Sequence, residues 1–196
     1  MDYASLKSTV LDWLARQDIS DTVFESFVTI VEQTISAELK CFDTEKMFTA
    51  VPTNTELGFS AVEIPKDFRE ARVVMYANNP LLYVEPQKFI ENKDNGGFTI
   101  VGGKVLLGNG VSGNGSLVIV YYTRVPHINL KNMTNAILEK YPNIYLFGCL
   151  REAYSYISDL EKASLMDTRL ERAIEEARMD ADTSAYSGSV LTPLAD

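Results

Sequence analysis

The sequence predicts an α+β fold, in which a bundle of α-helices carries an inserted, small antiparallel β-sandwich or barrel. At both ends of the chain, apolar residues recur every three or four positions, which is the period of an amphipathic helix. In the middle the period is two, and Gly- and Asn-rich turns separate short apolar runs. The 196 residues, 46% of them hydrophobic, suffice to bury a core. We expect a helical bundle domain at 1–46 and 126–182, a β-domain at 47–125, and a flexible C-terminal arm at 183–196.

Two amphipathic helices open the chain. The first is expected from about Tyr3 to Arg16, with a buried stripe made of Leu6, Val10, Trp13 and Leu14. Ser20 is a good N-cap for the second helix, which is expected to run to about Leu39. Its buried side is predicted to comprise Val23, Phe27, Ile30, Val31, Thr34 and Ile35. Its other side is predicted to face water through Glu25, Glu32 and Ser36.

Five or six short strands are predicted between Met47 and Val125. The period-two runs place them at Phe59 to Ile64, Val73 to Tyr76, Leu81 to Val84, Phe98 to Val101, Lys104 to Leu107 and Leu117 to Val125. A short turn or helical piece is expected at Pro86 to Asn92. Turn residues such as Gly102 and Gly103 separate the runs, which favours an antiparallel arrangement.

One motif in this region imitates a cofactor site. Residues Gly108 to Gly113 match G-x-G-x-x-G and follow a predicted strand, as a dinucleotide-binding loop would. The next element is a strand, so no helix N-terminus is available to face a pyrophosphate. We interpret the motif as a hairpin loop and predict no cofactor.

The stretch from Tyr141 to Leu160 is predicted to be the central helix of the bundle. Its apolar residues fall at steps of three and four, and a second apolar row widens the buried stripe. Gly148 lowers the helix propensity by about 1 kcal/mol, which close approach of a neighbouring backbone would explain. The predicted core positions are Tyr145, Leu146, Gly148, Cys149, Leu150, Ala153 and Ile157.

A last amphipathic helix is expected from about Glu161 to Met179, and the polar remainder of the chain is expected to be a flexible arm. The inner side of this helix is predicted to carry Met166, Leu170, Ala173, Ile174 and Ala177. Its outer side is charged, and a solvated surface is several times more probable there than a metal site.

The sequence gives little indication of catalytic or metal-binding chemistry. Cys41 and Cys149 lack the spacing of a zinc site and are read as reduced thiols in a cytoplasmic setting. His127 is the single histidine, and neither a nucleophile motif nor a carboxylate pair accompanies it, so we interpret it as a loop residue. No export signal or membrane-spanning run is visible. We predict that the protein is not an enzyme and that it holds no metal.

The net charge of −9 is unevenly distributed. Residues 1–46 hold 9 acids and 4 bases, residues 47–131 hold 7 and 8, and residues 132–196 hold 11 and 6, so the three parts carry −5, +1 and −5. A protein that grips DNA or RNA presents a basic patch to the phosphates, and none is visible. We therefore expect no specific binding of nucleic acid.

Three stretches resemble the head-to-tail adaptor (connector, or tail tubular) proteins of short-tailed bacteriophages. They are Glu63 to Val74, Val118 to Pro126 and Asn129 to Asp159. In that family a strand ending in Tyr-Tyr leads through an Asn-rich segment to a Tyr-Pro step that opens a helix. These features fall on Tyr121, Tyr122, Asn132, Asn135, Tyr141, Pro142, Tyr145, Gly148, Glu152 and Ala153. The sequence departs from many relatives in placing His127 after the Tyr-Tyr strand.

The resemblance implies a structural virion protein, assembled in the host cytoplasm and located at the head-tail interface. Such a protein forms a ring, typically of twelve subunits, under the portal protein, and presents a platform to the tail nozzle or tail tube protein. DNA would pass through the ring without specific binding. Apolar residues of the arm are candidates for binding the portal, namely Tyr186, Val190, Leu191, Pro193 and Leu194. Acids of the last helix are candidates for facing the channel, namely Glu161, Asp167, Glu171 and Glu175.

Two other classes of function stay open at this point. A β-rich module that binds a host surface or carbohydrate would present exposed tyrosines on one sheet face. A DNA-packaging protein would need a basic stripe, which the charge distribution disfavours.

Overall fold

The computed structural model describes residues 1–39, 44–54, 59–92, 96–111 and 115–186. The chain contains both helices and antiparallel sheets, so the predicted α+β class is confirmed. It divides into two compact units, one formed by residues 1–44 and 125–196 and the other by residues 45–124. The elements in chain order are α1 (Tyr3–Leu14), α2 (Asp21–Glu38), β1 (Glu45–Ala50), β2 (Thr53–Asn54), β3 (Ser60–Glu63), β4 (Phe68–Tyr76), β5 (Asn79–Pro80), α3 (Pro86–Glu91), β6 (Phe98–Val101), β7 (Lys104–Leu107), β8 (Leu117–Thr123), α4 (Ala136–Lys140), α5 (Pro142–Tyr156) and α6 (Leu160–Tyr186).

Helix α5 is the centre of the helical unit, because α1, α2, α4 and α6 all pack against it. Helices α5 and α6 form an antiparallel hairpin, in which Arg151 of α5 pairs with Asp167 of α6 at 2.9 Å. Lys140, the last residue of α4, pairs with Asp180 of α6 at 3.0 Å. The apolar stripes of all these helices meet in one core, whose largest fully buried side chains are Tyr3, Tyr145, Phe24, Leu6, Ile35, Leu39, Ile128, Ile137 and Leu138.

Local sequence sets where these helices begin. The Asp2 carboxylate accepts a hydrogen bond from the Ser5 amide and caps α1, and the Ser20 hydroxyl accepts from the Val23 amide and caps α2 as predicted. Pro142 occupies the first turn of α5, where its missing N–H costs no helical hydrogen bond. Side-chain caps and a proline therefore fix three of the helix starts.

The central helix is shorter than the sequence predicts, and the last helix is longer. Ser158 adopts a left-handed backbone conformation with a φ of 64°, and the Asp159 side chain accepts from the Lys162 amide at 3.2 Å. These two residues end α5 and cap the start of α6. Leu160, predicted to continue the stripe of the central helix, instead begins α6 and is 70% exposed. Helix α6 continues to Tyr186, beyond the predicted end near Met179.

Two predicted core positions of the first helices lie at the surface. Trp13 is 47% exposed and Ile30 is 41% exposed, whereas Val28, absent from the predicted stripe, is fully buried. Helices α1 and α2 both pack against α5, so their buried faces point toward that helix. Trp13 and Ile30 were assigned to the core on spacing alone, and spacing does not show which side of an apolar stripe the neighbouring helix covers.

The second unit consists of two four-stranded sheets, within the residues that the structure describes. The strand order is β1-β8-β4-β5 in one sheet and β2-β3-β7-β6 in the other, and every pair of strands is antiparallel. One hydrophobic cluster draws side chains from both sheets, including Val74, Ile119, Val105 and Phe98. Successive side chains of a strand point to opposite faces of the sheet, so one face can line this cluster. In β8, every second residue from Leu117 to Thr123 is buried.

The connections between the strands of this unit agree only in part with the predictions. Gly102 and Gly103 have positive φ values of 59° and 76° and join β6 to β7, as the sequence predicts for a two-residue hairpin. The predicted strand at Leu81 to Val84 is reduced to an isolated parallel bridge between Tyr83 and Phe98. The predicted helical piece is α3. Its Phe89 is fully buried, and the centroid of its ring lies 5.1 Å from that of Phe59.

Candidate functional site

A cluster of polar side chains in the helical unit holds a carboxylate in an almost buried position. Glu32 on α2 is 6% exposed. Its oxygens accept from the Ile128 amide at 2.8 Å and from the Tyr145 hydroxyl at 3.3 Å, and they lie 2.6 Å from Nδ1 of His127. The other ring nitrogen, Nε2, lies 3.2 Å from a carboxylate oxygen of Glu25. The imidazole therefore bridges two carboxylates two helical turns apart on α2.

Asn135 extends this cluster and links three pieces of chain. Its side-chain oxygen accepts from the Leu138 amide and caps α4, while its amide group donates to the carbonyl of Pro126 and to the hydroxyl of Tyr145, both at 2.7 Å. Every polar group of the Asn135 side chain is thus used inside the protein. The resemblance described above includes both Asn135 and Tyr145, and the structure brings them into direct contact.

Burial and hydrogen bonding shift the acid–base behaviour of these groups. Burial raises the pKa of Glu32, and its hydrogen bonds with His127, Ile128 and Tyr145 offset only part of that effect. Burial lowers the pKa of His127, but the hydrogen bonds with Glu32 and Glu25 outweigh it, and the net pKa is raised. Burial, together with the charge of Glu32, raises the pKa of the Tyr145 hydroxyl, which stays protonated. The raised pKa values favour the protonated forms of Glu32, His127 and Tyr145.

The prediction that Glu32 faces water is wrong. His127 lies in a loop as predicted, but the statement that no carboxylate pair accompanies it is also wrong, because Glu32 and Glu25 contact its two ring nitrogens. Glu32 is buried because the segment that follows β8 lies over it, and that contact joins residues almost a hundred positions apart. Helical periodicity cannot anticipate a covering segment from another part of the chain. One signal was present in the sequence: two glutamates seven residues apart on one side of α2, in a chain with a single histidine.

A second polar contact lies in the β-unit and again joins residues that carried the resemblance. The Tyr121 hydroxyl donates to Asp67 at 3.0 Å, and the ammonium of Lys46 lies 2.7 Å from the other Asp67 oxygen. Lys46 and Tyr121 lower the pKa of Asp67 against the opposing effect of burial. Burial and the Asp67 carboxylate raise the pKa of Tyr121 to about 12. Tyr121 thus anchors β8 in a structural role.

The four candidate channel acids all lie on α6, but they are not equivalent. Asp167, Glu171 and Glu175 recur at every fourth residue and share one side of the helix, with Glu161 beside them in the first turn. Asp167 pairs with Arg151 at 2.9 Å, and Glu175 pairs with Arg178 at 3.2 Å. For Glu161 and Glu171 the described part of the chain offers no ion-pair partner, and both are exposed. These two carry the uncompensated charge.

The predicted core positions of the central helix lie as follows. Six of the seven are buried, and Ile157 is partly buried in the turn after α5. The close approach at Gly148 comes from a side chain of α2: a Cβ at this position would lie 2.7 Å and 2.9 Å from the two methyl carbons of Val31. Gly148 thus sets how closely α2 and α5 pack.

The candidate portal-binding residues lie at the end of the described chain or beyond it. Tyr186 is the last residue of α6, and Val190, Leu191, Pro193 and Leu194 lie outside the described residues. The arm was expected to begin at residue 183, but residues 183–186 belong to the helix.

Exposed apolar side chains occur in both units. In the helical unit Trp13 and Tyr156 are 47% and 61% exposed, and in the β-unit Leu82, Tyr83 and Ile90 are 80%, 58% and 59% exposed. The tyrosines of β8 do not form an exposed row, because Tyr121 is 4% exposed. A sheet face lined by exposed tyrosines, which a carbohydrate-binding module would present, is therefore missing from β8.

Within the described residues the protein has neither a metal-binding cluster nor a membrane-spanning helix. No group of three or more His, Cys, Asp or Glu side chains there is arranged to hold a metal ion. Over the same residues, no helix combines the length and the apolar character that crossing a membrane requires.

Comparison with known proteins identifies a family that the chain matches. A family model described as SU10 adaptor protein matches residues 1–193, almost the whole chain. No curated protein matches the sequence. The family match covers both units, including the Glu32–His127 cluster and the Tyr121–Asp67 contact.

Proposed function

The chain belongs to the SU10 adaptor protein family, a family of phage adaptors, and from that premise we propose that it is a structural virion protein joining the capsid to the tail. In this proposal twelve subunits form a ring under the portal protein. The ring seals the capsid vertex, attaches the tail nozzle or tail tube protein, and forms part of the DNA exit channel. The family match over residues 1–193 is the observation that carries the proposal.

The architecture is compatible with this role. The helical unit is a packed core around α5, which is a stiff element suited to a place between larger assemblies. We interpret the second unit as a small β-sandwich inserted in the helical bundle, since its two antiparallel sheets share one hydrophobic cluster. An inserted unit of this kind supplies a second contact surface for neighbouring subunits or for the tail.

Charge supports the passage of DNA without binding. The candidate channel-facing residues are Glu161, Asp167, Glu171 and Glu175, of which Glu161 and Glu171 carry charge without an ion-pair partner in the described chain. Carboxylates that line a channel repel DNA phosphates, so DNA slides past them. The candidates for binding the portal are Tyr186, Val190, Leu191, Pro193 and Leu194, because they are apolar residues in an otherwise polar stretch of sequence. Ordering such a stretch costs entropy that binding to a partner offsets.

Electron microscopy of the protein mixed with its cognate portal protein tests this proposal. The proposal predicts rings in which the adaptor sits on one face of the portal, with one adaptor subunit at each equivalent position. Portal particles that remain bare at saturating adaptor concentration would contradict it.

A further inference from the structure

The segment from Val125 to Asn135, where the chain re-enters the helical unit after β8, is fixed by polar contacts rather than by regular secondary structure. The Val125 amide donates to the Ser36 hydroxyl at 3.1 Å, and the Ile128 amide donates to Glu32 at 2.8 Å. Ser36 and Glu32 lie one turn apart on α2, with Glu25 two turns before Glu32. One face of α2 therefore holds the segment, although Ile128 also buries its side chain completely.

The geometry around His127 requires an extra proton. Nδ1 lies 2.6 Å from Glu32 and Nε2 lies 3.2 Å from Glu25, so both ring nitrogens face carboxylate oxygens at hydrogen-bond distance. A neutral imidazole has one donor nitrogen and one acceptor nitrogen, and two ionised carboxylates offer only acceptors. Without a further proton, one of these contacts brings two lone pairs together.

The extra proton can reside in either of two places, and the cluster holds the same number of protons in both cases. It can make an imidazolium between two carboxylates, or it can lie on Glu32 and be donated to Nδ1 while Nε2–H is donated to Glu25. In a coupled pair of this kind the proton belongs to the hydrogen bond as a whole. Either way the cluster holds one proton more than a neutral histidine between two ionised glutamates.

Other charged groups near the cluster do not replace this proton. Asp21 and Lys131 line a shallow groove of about 270 Å³ together with Glu25 and Tyr3. Asp21 itself pairs with Lys7. On the α5 side, Glu32 faces the hydroxyl of Tyr145 and lies near the thiol of Cys149, and burial raises the pKa of both groups, so both stay neutral.

We propose that His127, Glu32 and Glu25 form a protonation-dependent latch that holds the segment Val125–Asn135 against α2. With the proton in place, the Ile128 amide and both carboxylates are satisfied. When the proton is lost, repulsion between the imidazole lone pair and a carboxylate loosens the segment. This device concerns the conformation of the chain itself and does not depend on the proposed role in the virion.

The direction in which pH changes the stability of the latch follows from the number of protons that the folded and unfolded states bind. The pKa of His127 is raised in the folded protein above its usual value of about 6.5, with burial as the largest, opposing influence and the two carboxylates outweighing it. The stabilisation from the latch is therefore complete below about pH 6.5, and it is lost as the pH rises through the folded-state pKa.

Proton NMR combined with amide hydrogen exchange tests the latch. The chain has one histidine, so its imidazole signals need no assignment. We expect a histidine titration midpoint above about 6.5. We also expect the protection of the Ile128 amide, corrected for intrinsic exchange, to fall at least about tenfold between pH 6 and pH 9 with the same midpoint. The amide of Val105 in β7, in the other unit, is the internal control and should not follow this titration.

Two variants complete the test. Glu25→Gln supplies a neutral outer partner that can donate to Nε2, so a neutral imidazole suffices, the midpoint should fall, and the pH dependence of Ile128 should shrink. His127→Gln removes the imidazole, so the change in Ile128 protection at the histidine midpoint should disappear. The proposal is overturned if the wild-type midpoint lies at or below about 6.5. It is equally overturned if Ile128 protection stays constant while His127 titrates, or if Glu25→Gln leaves the midpoint unchanged.

Discussion

Thr99 has a fully buried hydroxyl that finds no hydrogen-bond partner among the described residues. It lies in β6 opposite Leu106 of β7, on the sheet face away from the side chains of Phe98 and Ile100. A buried hydroxyl that makes no hydrogen bond costs the free energy of removing it from water, with nothing gained in return. This position is therefore a local weakness of the β-unit.

Replacing Thr99 by Val should stabilise the β-unit. The substitution keeps the branched shape and removes the unsatisfied hydroxyl, so the free energy of unfolding should rise by about 1–2 kcal/mol. Chemical denaturation monitored by circular dichroism measures the change. The matched control is Thr49→Val on the exposed strand β1, which we expect to alter stability by less than about 0.5 kcal/mol. Equal effects of the two substitutions would show that the Thr99 hydroxyl carries no penalty.

Individual residues also show where sequence reasoning succeeds and where it stops. Ser20 was predicted as an N-cap and caps α2, because capping depends only on residues within one turn. Glu32 was predicted to face water and is buried, because the residues that cover it, His127 and Ile128, come from a segment far along the chain. Helix capping could therefore be predicted from the sequence, whereas the burial of a polar residue by a distant segment could not.

Among the helices, the close packing of α2 on α5 depends on Gly148. Any side chain there would meet the methyl groups of Val31, and a β-branched side chain has little freedom to move aside. The sequence indicated close approach of a neighbouring backbone at this glycine, whereas the atoms that approach it belong to the side chain of Val31.

Replacing Gly148 by Ala should destabilise the helical unit even though alanine favours a helix. The gain in helix propensity is about 1 kcal/mol, whereas overpacking a core costs about 1–3 kcal/mol, so we expect a net loss of about 1 kcal/mol. Thermal unfolding of the purified protein measures it.

The double variant Gly148→Ala/Val31→Ala is the control, because it removes the methyl groups that the new Cβ would meet. The two losses should be less than additive by about 1 kcal/mol. Additive losses would mean that Val31 does not restrict position 148.

The break between α5 and α6 shows why helix boundaries were harder to predict than helix faces. The apolar period continues through Ile157 to Leu160, so the pattern alone extends the central helix to Leu160 and begins the next helix at about Glu161. Ser158 nevertheless takes a left-handed conformation and Asp159 caps α6, which turns the chain back on itself. Antiparallel pairing of α5 and α6 then buries Ala163, Met166 and Leu170. The fold class and the inner face of α6 were predictable, and the turn was not.

For the molecule as a whole, the segment beyond α6 is proposed to attach the adaptor to the portal. Deleting residues 187–196 should leave folding intact, since every described residue of the helical core precedes this segment. Attachment to portal should weaken by at least about tenfold, because the deletion removes Val190, Leu191 and Leu194, the apolar residues that we propose bind the portal. A binding titration against immobilised portal, with circular dichroism as the folding control, tests this; undiminished binding would refute the arm as an attachment site.

The acids of α6 provide a second test at the level of the assembled particle. Glu161→Lys with Glu171→Lys reverses the two charges that lack ion-pair partners in the described chain, and it leaves the Arg151–Asp167 pair in place. We expect rings to assemble normally, DNA ejection to slow, and the free variant to bind DNA with an affinity that falls as salt is added.

An equal change of charge elsewhere is the control for this experiment. Asp12→Lys with Glu91→Lys alters exposed acids on α1 and α3 and should leave ejection at its normal rate. Normal ejection from particles carrying the α6 variant would remove the electrostatic role and leave a structural one.

The central claim, that this family member is an adaptor which assembles on a portal, is tested most directly by sedimentation of the protein with and without that portal. A single chain has a mass of 21.9 kDa and forms its own cores. We therefore expect a monomer when the protein is alone and, since binding to a template stabilises the ring, a stoichiometric complex when portal is added. A large stable oligomer without portal, or a monomer that fails to sediment with portal, would contradict the account.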